Sequence, residues 1–106
     1  MSLTLKRFNE VMRDSKTYSQ TKALYSYLWI RADRETGLSY PPKKQILEEI
    51  NLKEDMYKQG LGVLIKKGYI KETTKEMTDK KGQKYTINCY DLNDYSKSDA
   101  KEIKLF

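Results

Sequence analysis

Apolar residues at positions 5, 8, 11 and 12 fit one or two helical turns carrying a narrow apolar stripe. The polar run 15–19 breaks that pattern, and Ser19 suits a helix cap. A long helix is predicted over 19–34, with Leu24, Tyr27, Leu28, Arg31 and Ala32 at three- and four-residue steps. Ala23, Tyr25, Trp29 and Ile30 widen its apolar surface to most of the circumference, which predicts a largely buried central strut. Gly37 is placed to cap its C-terminal end. Tyr40-Pro41-Pro42 must be extended, because the residue before a proline is pushed out of the helical region.

Pro42 stands at or next to the first position of a short second helix ending near Ile50, with Ile46, Leu47 and Ile50 on one side. Asn51 tolerates left-handed backbone and so can turn the chain sharply. A third helix over 54–67 directs Tyr57, Leu61, Leu64 and Ile65 inward, and Gly68 closes it. Gly60 and Gly62 lie inside this helix; Gly60 is tolerable where a neighbouring helix passes too close for a methyl group. Strands are predicted over 69–73 and 84–92, joined by a long charged tip over 74–83. The whole is an α+β chain: a winged helix-turn-helix with a three-helix core followed by a β-hairpin wing. Residues 1–17 form an N-terminal extension with a short helix, 18–92 the domain, and 93–106 a linker and tail.

Composition narrows the chemistry. The 106 residues leave room for one domain, and no run approaches the roughly 20 apolar residues of a membrane-spanning helix. No apolar stretch near Met1 resembles a signal peptide, so a cytoplasmic address is the expectation. Histidine is absent, which removes the commonest general base and metal ligand. Cys89 is the only cysteine, so no internal disulfide or thiolate zinc cluster forms, and its strand-like setting marks it as packing. The five glycines make no phosphate-binding loop, and the paired acids Glu48-Glu49 and Glu54-Asp55 fit a solvated helix face. No enzymatic activity, cofactor or metal is expected.

The 21 basic and 15 acidic residues leave a net +6, which points to a polyanionic partner. The charge is unevenly placed. Residues 66–84 carry seven lysines against three acids, whereas 46–58 carry two lysines against four acids. Most of the nine tyrosines suit packing, with Tyr25, Tyr27, Tyr57 and Tyr69 at core positions, and Tyr85 and Tyr90 are expected on opposite sides of their strand. Tyr40 and Tyr95 are also expected to pack.

Four stretches resemble the winged-helix domains of plasmid replication initiators and phage replisome organisers: 19–25, Tyr40-Pro41-Pro42 ahead of Ile46-Leu47, 61–70, and Tyr90-Asp91-Leu92. The run Leu61-Gly62-Val63-Leu64-Ile65-Lys66-Lys67-Gly68-Tyr69-Ile70 is the strongest match, and the likeness spans about 18–92. It implies double-stranded DNA binding in replication initiation or transcription regulation. On this reading Lys43 and Lys44 meet a phosphate at the start of the second helix. Lys53, Lys58 and Gln59 project near the start of the third, where Gln59 suits adenine and Lys58 suits guanine or a phosphate. Lys80, Lys81 and Lys84 reach the backbone or minor groove from the hairpin. The alternative is a protein–protein interaction or oligomerisation module that forms a homodimer or joins replication proteins. Its apolar candidates are Leu5, Phe8, Val11 and Met12, with Ile103, Leu105 and Phe106 in the tail.

Overall fold

The computed structural model describes residues 5–93. Its helices are α1 (Leu5–Arg13), α2 (Ser19–Arg31), α3 (Lys43–Glu49) and α4 (Glu54–Lys66). Strands β1 (Leu38–Ser39), β2 (Lys71–Thr78) and β3 (Lys84–Asp91) make one antiparallel sheet in the order β1-β3-β2. The α+β class is therefore as expected. Among the described residues no helix is long and apolar enough to cross a membrane.

The core forms where α2 crosses α4. Leu24, Tyr25 and Leu28 of α2 are fully buried, and Leu61 and Leu64 of α4 meet them with Ile46 of α3 and Ile70. Each buried leucine contributes about 1.5–3 kcal/mol through the apolar surface it removes from water. Gly60 sits at the crossing: a Cβ there would stand 3.2 Å from Thr21 Oγ1 and 3.5 Å from Leu24 Cδ2. The expected close helix approach is thus present. A Cβ at Gly62 would meet nothing within 4 Å among the described residues, so packing there does not explain a glycine that costs about 1 kcal/mol relative to alanine in a helix.

Several local expectations are corrected. Ser19 is the first residue of α2 rather than its cap; Tyr18 holds the cap position and makes no side-chain cap bond. The helix ends at Arg31, not Arg34, because Ala32 is extended (ψ 144°) and Asp33 Oδ1 accepts the N–H groups of Glu35 and Thr36, folding the chain into a turn. Gly37 (φ +73°) belongs to that turn, leading into β1, and is not a helix cap. A Cβ at Gly37 would collide with the Asn93 side chain. The strut is buried on one side only: Ile30 is 67% exposed, and Ala23 is exposed too. Ile65 also lies outward, at 37% exposure, because the inward face of α4 is centred on Tyr57, Gly60, Leu61 and Leu64.

The remaining turns follow the chain's chemistry. Asn51 takes φ 52° between α3 and α4, and Leu52 then drops into the core with its N–H on Leu47 O at 2.9 Å. Gly68 (φ +80°) ends α4, with Tyr69 N–H returning to Leu64 O at 2.9 Å. The hairpin is longer and its tip shorter than expected. Residues 74–78 are paired strand, and the turn is confined to 79–83. Asp79 Oδ1 fixes that turn by accepting the N–H groups of Lys81 and Gln83 at 2.9 and 2.8 Å. Strand β1, which the pattern did not show, adds Leu38 opposite Asp91 and Ser39 opposite Tyr90.

Residues 5–17 join the same body. Val11 is fully buried, and the Phe8 ring lies 4.9 Å from Trp29 and 6.2 Å from Tyr25. Asp14 accepts hydrogen bonds from Lys67 Nζ at 2.8 Å and Tyr69 OH at 3.0 Å, tying the α1–α2 turn to the end of α4. Arg7 donates to Gly68 O at 3.1 Å at the same junction.

Candidate nucleic-acid interface

The helix pair α3–α4 and the hairpin set three groups of sequence-nominated residues at the surface. Pro42, extended at φ −62° and ψ 145°, precedes α3 and leaves Lys43 and Lys44 exposed on its first turn. Lys43 does not project freely. Its Nζ lies 2.8 Å from Glu54 Oε2, and Lys58 Nζ approaches the same oxygen at 3.7 Å. The hydrogen bond from Lys43 holds the Glu54 carboxyl below the usual carboxylate range, with the Coulombic pull of both lysines adding to it. The acidic opening of α4 is therefore half matched within the fold: Glu54 is paired by two lysines, while Asp55 turns its carboxylate onto Met56 N–H.

The outward face of α4 runs along Asp55, Gln59, Gly62 and Lys66, all exposed. Lys58 borders this face with its side chain 70% exposed, and Lys53 is exposed at the cap position just before the helix. Lys66 belongs to the basic stretch 66–84 but is not among the contacts expected from the sequence. Helical spacing from Gln59 and Gly62 was the signal that places it beside them.

Lys80, Lys81 and Lys84 are exposed at and beside the hairpin turn, and none has an ion-pair partner among the described residues. The other lysines of 66–84 are not equivalent. Lys67 is held by Asp14 and by Thr17 Oγ1, and Lys75 Nζ lies 4.7 Å from the centroid of the Tyr40 ring. The usable charge is accordingly narrower than the sequence count and is concentrated at the turn.

Period-two alternation divides the hairpin surface. Tyr90 is buried opposite Glu72, and the same face continues outward through Thr74 with Asn88 and Glu76 with Thr86. The other face pairs Lys75 with Ile87 and Met77 with Tyr85, the last 47% exposed. Tyr85 and Tyr90 thus point to opposite sides, as expected. Between the hairpin and α4 lies a cleft of about 540 Å³ lined by Pro41, Lys43, Tyr57, Lys58, Asn88 and Tyr90. At its wall the Tyr57 and Tyr90 hydroxyls hydrogen-bond to each other. Burial, then the bond to Tyr90, pushes the Tyr57 phenol well above its ordinary range, so it stays protonated.

The apolar candidates divide as well. Leu5 is 65% exposed, while Phe8 and Met12 pack against the chain's own core and Val11 is inside it. Ile103, Leu105 and Phe106 lie outside the described residues, as does Tyr95. Cys89 is a buried free thiol whose pKa is raised by burial, in keeping with packing. Among the described residues no group of three or more Cys, Asp or Glu is placed to hold a metal ion. No protein-family model matches the sequence, and no curated protein matches it.

Proposed function

We propose that the chain is a winged helix-turn-helix domain that binds double-stranded DNA, with α3 and α4 as the helix pair, α4 as the groove-facing helix and the β2–β3 hairpin as the wing. The observation that carries this reading is the set of exposed lysines Lys80, Lys81 and Lys84, unpaired among the described residues, at the end of a hairpin that leaves α4 directly at Gly68. A helix is the right width for the major groove, and lysines at a hairpin turn supply sequence-independent phosphate contacts alongside it. Lys44, Lys53 and Lys66 add cations that no acid in the described residues neutralises. Gln59 is the candidate base reader; Lys43 and Lys58 serve only if the duplex draws them away from Glu54. The sequence resemblance supports a role in plasmid or phage replication initiation or in transcription regulation, and such a role is carried out in the cytoplasm.

Titration of a labelled random duplex across a salt series tests the proposal. Binding at low salt with a log–log slope of several units is expected, since each phosphate contact contributes roughly 0.9. Changing Lys80→Glu together with Lys81→Glu should lower affinity about tenfold or more on every sequence alike, with an unchanged melting temperature. Absence of binding by the wild-type chain at low salt overturns the reading.

A second reading, a protein-interaction or oligomerisation module, is favoured by Leu5 at 65% exposure on α1. Because Val11 lies in the core and Phe8 packs against it, the test is Leu5→Glu rather than removal of the segment. Loss of a dimer in sedimentation supports it, and an unchanged mass counts against it.

A further inference from the structure

Gly60 and Gly62 both stand more than one turn from either cap of α4, yet the fold accounts for only one of them. Gly60 makes room for Thr21 and Leu24, whereas Gly62 meets no neighbour among the described residues and has no positive φ that would require glycine. Glycine in that position weakens the helix and gains nothing inside the chain.

Its place on the surface supplies a reason. Gly62 is at the middle of the outward stripe of α4, between Gln59 one turn before and Lys66 one turn after. Every other exposed position on that stripe carries a long or charged side chain, so at Gly62 alone the helix backbone lies bare. A bare backbone flanked by an amide and an unpaired cation fits a partner that must come close and is negatively charged. Asp55, at the other end of the stripe, disfavours phosphate there. We infer that a DNA duplex approaches α4 most closely at Gly62, so that the contact is centred on Gln59, Gly62 and Lys66 and not on the first turn of the helix. This rests on the DNA-binding reading above and fixes its register. Gln59 faces base edges, Lys66 meets the phosphate backbone beyond it, and Gly62 lets the groove wall sit against the helix between them.

The test measures duplex affinity and thermal unfolding of Gly62→Ala and Gly62→Leu in the full chain. Both variants should melt at or above the wild-type temperature, because each is a better helix former than glycine and no neighbour obstructs a side chain. Affinity for a random duplex should fall about threefold with alanine and at least tenfold with leucine, in proportion to the bulk placed on the bare backbone. Wild-type binding that Gly62→Leu leaves unchanged overturns this inference and leaves the DNA reading standing. A wild-type chain that does not bind at low salt removes both. If leucine instead dissociates a dimer in sedimentation while duplex affinity holds, the occupant of this face is a second copy and the inference is overturned.

Discussion

Basic side chains at the junction of α1, α2 and α4 are anchored by the fold. Lys67 bonds to Asp14 and Thr17, Lys22 Nζ donates to Met12 O at 2.7 Å, and Arg7 reaches Gly68 O. At the hairpin turn Lys80, Lys81 and Lys84 have no such partners among the described residues. The same residue type therefore does two jobs in one small domain. At the junction it joins elements distant in sequence; at the turn it leaves charge available in solvent. A count of lysines along the chain merges the two, and only the acceptors around each ammonium separate them.

The sharpest separation comes from the core, whose apolar cluster includes no lysine among the described residues. Leu28 is fully buried on α2, so Leu28→Ala should cost about 2–5 kcal/mol, the range for a leucine truncated in a packed interior. Against a typical total of roughly 5–15 kcal/mol this is a large loss. Urea unfolding should show it as a marked fall in midpoint, and duplex binding should decline only as far as the folded population does. A variant that stays fully folded yet loses binding would place Leu28 in the interface and break the division between framework and surface.

Much of the framework was readable because local chemistry and tertiary need agree there. Asn51 tolerates the left-handed turn that α3 and α4 require, and Gly68 supplies the positive φ that ends α4. The errors fall where the deciding partner is distant or where both faces are wet. Strand β1 is two residues whose identity comes from pairing with Tyr90 and Asp91, about fifty positions away. Residues 74–78 looked like a loop because Thr, Lys and Glu on a solvent-exposed hairpin show no apolar alternation, although threonine is a good strand former. The end of α2 depended on Asp33 capturing two N–H groups, which outweighs the helical spacing that continues to Arg34. In the candidate interface, exposure of the nominated lysines was legible, but the Lys43–Glu54–Lys58 cluster was not, since it joins α3 to α4 across the turn.

Acid should loosen the junction before it affects the hairpin charge. The hydrogen bond from Lys67, followed by the backbone N–H of Lys16, holds the Asp14 carboxyl far below the usual carboxylate range. A group whose folded pKa is depressed contributes stability above its unfolded pKa of about 3.9 and loses it as pH falls toward the folded value. Glu49 and Glu54 are depressed in the same direction by Tyr27 and Lys43. Urea midpoints should therefore drop as pH is lowered from 5 toward 2. Asp14→Asn should be less stable than wild type at neutral pH, with the gap closing in acid. A constant gap across that range would mean that Asp14 acts through shape and not through its charge.

The smallest effect is also the most direct test of the two roles, because it uses adjacent residues. Lys66 and Lys67 share a charge and a helix end, but α4 turns Lys66 outward and Lys67 toward Asp14. Lys67→Gln removes a bridge between the α1–α2 turn and the end of α4, so the melting temperature should fall by several degrees while the salt slope of duplex binding stays as in wild type. Lys66→Gln removes a solvent-exposed cation, so stability should hold apart from a few tenths of a kcal/mol at the helix end. Its affinity should fall a few-fold and its salt slope by about one unit, as for one lost phosphate contact. The residues differ only in what lies within reach of each ammonium. If both changes lower the slope equally, Lys67 exchanges Asp14 for phosphate when DNA binds, and the anchored and available sets are two states of one surface. If Lys66 alone lowers it, the division seen in the isolated chain persists in the complex.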